Sequence, residues 1–173
     1  DMPGLYRAMQ RDGVEPEGKD CLVLGAGGVA RAVAVMLADK GAKSICILNR
    51  TYERAALIAD EVNRMFGINI VTAMKLDDYD KLPEGKKFLA VQATSVGMHP
   101  NVDDVIIDKD DFYRKLEAAY DLVYTPGETQ FMKLAKKNNV KAYNGVGMLV
   151  FQGIIAFELW NGIRVSDESA DII

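Results

Sequence analysis

The sequence predicts an α/β fold, a doubly wound parallel sheet of six strands, on three observations. Short apolar runs alternate with helix-forming runs along the chain, which argues parallel strands joined by right-handed crossovers. The first apolar run, residues 19–24, ends in the turn Gly25-Ala26-Gly27-Gly28-Val29-Ala30 and passes at once into a helical run. Strand, glycine turn and helix in that order form the Rossmann-like, dinucleotide-binding arrangement. Six strand candidates in all then suggest the sheet order 3-2-1-4-5-6.

Each element has its own justification. Residues 5–10 look helical and are closed by Asp12-Gly13, and Glu15-Pro16-Glu17-Gly18 is a turn. The first strand, 19–24, leads into a crossover helix, 29–39, which Lys40-Gly41 stops as a C-cap glycine does. The second strand, 44–48, is apolar on both faces, like a central parallel strand. Ala55, Ile58, Ala59 and Val62 recur at helical spacing in the second helix, 51–66, and Gly67 ends it. A third strand at 68–73 is followed by a polar stretch, 75–81, with room for one helical turn. Residues 88–91 read as the fourth strand, 112–118 as a short amphipathic helix and 120–124 as the fifth strand. Residues 129–138 form the third clear helix, 140–143 the sixth strand and 148–160 a long, packed closing helix.

Composition narrows the function. The chain has 173 residues, enough for one domain with a sizeable core. It is 49% hydrophobic with a net charge of −4, which argues against a broad nucleic-acid footprint. The two cysteines, Cys21 and Cys46, fall in predicted strands without metal-type spacing, and fit a reducing, cytoplasmic setting. The apolar run 146–160 carries Gln152 and Glu158 and falls short of the ~20 residues of a membrane span. Asp103-Asp104 and Asp108-Lys109-Asp110-Asp111 read as solvated charges, so no metal site is expected. His99, the one histidine, sits in a loop beside Pro100-Asn101 and is read as exposed, not as a general base.

In this fold ligands bind at the carboxyl ends of the strands. The loops 25–30, 49–51, 92–99, 124–126 and 144–148 all fall there on this reading. Gly25 permits the tight turn, Gly27 lets a pyrophosphate approach the backbone, and Ala30 is small enough for helix and strand to pack closely. The helix N-terminus, beginning about Gly28 and Val29, presents free N–H groups to the phosphates. The second strand runs into Asn49-Arg50-Thr51, with no carboxylate to hold a ribose 2′-hydroxyl or repel a 2′-phosphate. Arg50 can pair with that phosphate, Asn49 and Thr51 can donate to it, and Arg54 lies one turn on. NADP is therefore favoured over NAD. The alternative is that Asn49 or Thr51 only caps the next helix and Arg50 is a solvated cation.

These segments, together with Ala93-Thr94-Ser95-Val96-Gly97-Met98, Asp121-Leu122-Val123-Tyr124-Thr125-Pro126, Asn144-Gly145-Val146-Gly147-Met148 and Gln152, resemble the shikimate dehydrogenases, including the quinate/shikimate dehydrogenases. The resemblance covers essentially the whole chain. It implies reversible reduction of 3-dehydroshikimate to shikimate in aromatic amino-acid biosynthesis, with NADP as cofactor, in a cytoplasmic monomer or homodimer. The family has an N-terminal substrate domain and a C-terminal NADP-binding domain. Residues 1–173 look like the second, with 1–18 as the linker and helix from a missing first domain. The family's catalytic pair is a lysine and an aspartate. The lysine has no counterpart here, and Asp1, followed by Gly4, resembles the aspartate, so the chain alone is expected to bind cofactor and turn over poorly. By the same resemblance, Thr94, Ser95 and Val96 pass beside the nicotinamide ribose, Gly145 and Met148 shape the nicotinamide pocket, and Tyr124 and Gln152 contact the substrate. Gln92 departs from the family's more usual asparagine. Tyr124 as a half-buried strand residue, Met148 as plain core, a quinate/shikimate dehydrogenase using NAD, a different NADP oxidoreductase and a non-catalytic NADP-binding regulatory module are the competing readings.

Overall fold

The structure, a computed structural model, describes residues 2–166. Its elements run α1 (Met2–Arg11), β1 (Asp20–Leu24), α2 (Gly28–Asp39), β2 (Ser44–Asn49), α3 (Tyr52–Phe66), β3 (Val71–Lys75), a 3-10 segment (Leu76–Lys81), β4 (Phe88–Gln92), α4 (Asp110–Tyr113), β5 (Leu116–Asp121), α5 (Gln130–Lys137), β6 (Lys141–Tyr143) and α6 (Val146–Asn161). The six strands form one parallel sheet in the order β3-β2-β1-β4-β5-β6. This is the expected doubly wound order, which reverses between β1 and β4.

Strand alternation explains the two helical layers. Cys21, Val23, Ile45, Ile47, Leu89 and Val91 pack with Val33, Leu37, Ala59 and Val62 of α2 and α3. Their neighbours Leu22, Leu24, Leu48, Phe88 and Ala90 point the other way and pack with Phe112, Phe131 and Ala135 of α4 and α5. Successive strand residues face opposite sides, so strands apolar at every position require helices on both faces.

Four expectations shift. The third strand starts at Val71, not residue 68, because the Asn63 side chain holds that stretch to α3. Its Oδ1 accepts from the Ile70 and Val71 N–H groups, and its Nδ2 donates to the Val71 carbonyl. The short helix expected at 112–118 is only Asp110–Tyr113, and the fifth strand begins at Leu116 and ends at Asp121 rather than spanning 120–124. Leu116-Glu117-Ala118-Ala119 favours helix locally. Pairing with β4 on one side and β6 on the other overrides that preference. The closing helix is packed on one face only. Phe151 and Ile154 are buried with Ala8 of α1, whereas Leu149, Phe157, Leu159 and Trp160 are exposed.

α1 lies chiefly against α6. Gly4 makes the approach possible: a Cβ there would meet the Met148 carbonyl at 2.9 Å and the Gln152 N at 3.0 Å. The Arg7 and Arg11 guanidinium carbons sit 5.1 and 5.3 Å from the Phe151 ring centroid, and Arg7 pairs with Glu158 at 3.0 Å. No helix among the described residues is long and apolar enough to cross a membrane. Cys21 is buried, Cys46 half-buried, and both are free thiols.

Candidate functional site

Strand register sets the row of loops at the carboxyl edge. Leu24 pairs with Leu48 on one side and Gln92 on the other, and Gln92 pairs with Asp121. The turn after Gly25 therefore lies between Asn49-Arg50-Thr51 and Ala93-Thr94-Ser95, with Leu122-Val123-Tyr124 beyond.

The glycine turn is open. Gly25 takes φ +110 and donates its N–H to the Leu48 carbonyl at 2.8 Å. A Cβ there would come within 2.6 Å of Thr94 Cγ2. Gly27 and Gly28 are exposed, and a Cβ on either would meet no protein atom within 4 Å. Gly27 occupies the N-cap of α2 without a side-chain cap, which leaves the first N–H groups of that helix available to an anion. Ala26 is half-buried, Val29 is 49% exposed and Ala30 is fully buried against the core.

At the end of β2 the Asn49 Nδ2 donates to the Thr51 carbonyl at 2.9 Å and shapes the turn. Thr51 stands at the N-cap of α3, yet its side chain makes no cap bond, so the capping alternative does not occupy its hydroxyl. Arg50 and Arg54 are exposed, and among the described residues neither is in an ion pair. Arg31 of α2, in contrast, is engaged by Glu61 of α3.

At the other end lies a cavity of about 310 Å³ lined by Val29, Ala93, Thr94, Ser95, Met98, Leu122, Val123, Tyr124, Gly145, Met148, Leu149 and Gln152. Seven of the sequence-predicted residues thus meet: Val29, Thr94, Ser95, Tyr124, Gly145, Met148 and Gln152. Tyr124 is 52% exposed in a loop beyond the strand, which removes the reading of it as a half-buried strand tyrosine. Gly145 has a packing reason of its own: any Cβ would collide with the Leu122 carbonyl, and its N–H donates to the Val123 carbonyl at 3.1 Å. The Gln152 amide is half-buried and makes no hydrogen bond among the described residues, so it is free to meet a ligand.

Val96 does not line the cavity. Its N–H donates to Thr94 Oγ1 and its carbonyl accepts from Gln92 Nε2, both at 3.1 Å. His99 is exposed and also outside the lining. Asp1 lies outside the described residues. The sequence reading missed Leu149, although positions 145, 148, 149 and 152 share one helical face. It also missed the buried side chains behind the cavity. Gln92, in doubt from sequence, is fully buried, and its Oε1 accepts from the Thr94 N–H at 2.5 Å and hydroxyl at 2.7 Å.

Comparisons with known proteins point to one family. The family model "Shikimate / quinate 5-dehydrogenase" matches residues 8–87, and "Shikimate 5'-dehydrogenase C-terminal domain" matches residues 145–169. Shikimate dehydrogenase (NADP(+)) of Methanosarcina barkeri is 41% identical over 161 residues, 93% of this chain and 56% of the relative. Shikimate 5-dehydrogenase of Thermus thermophilus, solved with NADP(H) and shikimate, superposes at TM-score 0.79 with 32% identity, over 98% of this chain and 59% of that one. Shikimate 5-dehydrogenase of Listeria monocytogenes, solved with shikimate and NAD, gives TM-score 0.86 at 28% identity, over 99% and 61%. The chain spans 56–60% of the length of the curated relatives it matches. Two family models and these relatives point the same way: over nearly its whole length the chain is similar to the shikimate/quinate dehydrogenases.

Proposed function

We propose that this chain is the NADP-binding domain of an NADP-dependent shikimate dehydrogenase, with residues 1–18 leading in from an N-terminal substrate domain. The observation that carries the reading is the unpaired Arg50 beside an open glycine turn, at one end of a row that finishes in the Tyr124–Gln152 cavity. The free α2 N-terminus at Gly27 and Gly28 would hold the pyrophosphate. Arg50, Thr51 and Arg54 would hold the 2′-phosphate, with Asn49 bracing their turn. Thr94, Ser95, Gly145 and Met148 would flank the nicotinamide. The bound cofactor would carry the hydride, from NADPH to the carbonyl carbon of 3-dehydroshikimate or, in reverse, from the carbinol carbon of shikimate to NADP+.

Tyr124 and Gln152 would donate hydrogen bonds to the substrate carboxylate and hydroxyls. No lysine or carboxylate lines the cavity among the described residues. We assign the proton to the pair that the resemblance implies, Asp1 and a lysine on the substrate domain. The exposed apolar side chains Leu149, Phe157, Leu159 and Trp160 of α6 support a substrate domain docked there. The free thiols Cys21 and Cys46 accord with a cytoplasmic location.

Calorimetric titration with NADP+ and NAD+ tests the reading. NADP+ is expected to bind tighter by about tenfold or more, the scale of one charge-assisted phosphate contact, and Arg50→Ala to erase the difference. Equal or tighter binding of NAD+ by the unaltered chain would overturn it.

A further inference from the structure

Asp121 ends β5 completely buried, and among the described residues it has no ion-pair partner. Its Oδ1 accepts from the Val123 N–H at 3.0 Å and from Gln92 Nε2 at 3.3 Å, and its Oδ2 accepts from the Thr129 hydroxyl at 2.5 Å. Each bond leads to a different segment. Val123 belongs to one wall of the cavity. Gln92 grips Thr94 through its Oε1 and the Val96 carbonyl through its Nε2, and so holds the opposite wall. Thr129 accepts from the Met132 N–H at 3.3 Å and caps α5.

We infer that Asp121 is a positioning residue for the nicotinamide end of the cleft, its single carboxylate fixing the spacing of the 93–96 and 122–124 loops without touching any ligand. The inference rests on the reading that this cleft takes NADP. A neutral apolar side chain would fill the space more cheaply than a buried carboxylate without a cation, whose pKa burial pushes up to about 6. What the carboxylate adds is acceptor capacity for three converging donors, which an amide cannot match with one oxygen. The networks of the cleft's other end, the glycine turn and Arg50, do not pass through it.

That separation supplies the test. The adenosine fragment 2′,5′-ADP occupies only the Gly27–Arg50 end, whereas NADP+ spans both ends. Asp121→Asn is expected to weaken NADP+ by at least about fivefold, the low end of the cost of an orphaned buried donor, and to leave 2′,5′-ADP within about twofold. Thr129→Val, which removes the one donor to Oδ2 among the described residues, reads the same ratio should the first variant not fold. Equal losses for both probes, or a loss for neither, overturn the inference. An unaltered chain that fails to bind NADP+ overturns the cofactor reading first, and is told apart because no substitution is involved.

Discussion

The Tyr120 hydroxyl donates a 2.6 Å hydrogen bond to Oδ2 of Asp12, a residue 108 positions earlier in the chain. The Tyr143 hydroxyl reaches the Asp12 carbonyl at 3.4 Å, and the two tyrosine rings stack at 4.8 Å on neighbouring strands. The end of α1 is thus tied to the carboxyl-terminal ends of β5 and β6, from which the cavity loops depart. Burial first, and then the Asp12 carboxylate, push the Tyr120 phenol's pKa up, so it stays a donor across the working pH range. Tyr120→Phe removes the bond and leaves Asp12 with Arg11 and solvent. A loss of about 1–2 kcal/mol is expected, read as a lower denaturant midpoint at unchanged slope.

Two glycines of one turn should behave oppositely. Gly27→Ala puts a methyl group where no protein atom lies within 4 Å, at φ −94, which any residue adopts. Stability should change by less than about 1 kcal/mol, while NADP+ binding should be lost, because the methyl would occupy the proposed approach of the pyrophosphate. Gly25→Ala meets both a φ of +110 and Thr94 Cγ2 at 2.6 Å. It should cost about 2 kcal/mol or more of stability as well as binding. Thermal melts of the two variants beside NADP+ titrations separate a ligand-space glycine from a backbone glycine.

Asp121 also predicts a pH dependence. Burial holds its folded pKa at about 6, above the ordinary aspartate value of 3.8, despite bonds from Thr129 and Val123 that pull it down. The folded chain therefore binds more protons than the unfolded chain between those values, and stability falls as pH rises through about 6. Between pH 5 and pH 7.5 this group should remove about 1 kcal/mol. Asp20 does not share the window. Burial pushes its pKa up, but bonds from Ser44 and Lys86 carry it below the usual carboxylate range, so its contribution fades only at lower pH. Denaturant unfolding at the two pH values should show this slope in the unaltered chain and its reduction in Asp121→Asn. An unchanged slope in the variant would show that the carboxylate does not titrate there.

Most of the framework is legible in the residues. Glycine-turn chemistry at Gly25–Ala30 and strand–helix alternation lead directly to the observed sheet order. The cavity follows wherever its side chains carry local signals: Met148 and Gln152 one helical turn apart, Tyr124 just past a strand. What hid was set by partners distant in the chain. Leu116-Glu117-Ala118-Ala119 looks helical until β4 and β6 claim it. On the sequence Gln92 falls just past the fourth strand and Asp121 within the fifth, and only the register that pairs them brings their side chains together. Gly4 reads as one more small residue near the start, and its purpose appears only when α6 lies across it.

Trp160, the single tryptophan, stands 84% exposed near the end of α6. Its indole is therefore a built-in optical reporter. In this chain its emission belongs at the long-wavelength, water-relaxed limit and is open to quenching by iodide. Any domain that settles over α6 would move it to the blue and shield it, so intrinsic fluorescence can follow that docking without a label.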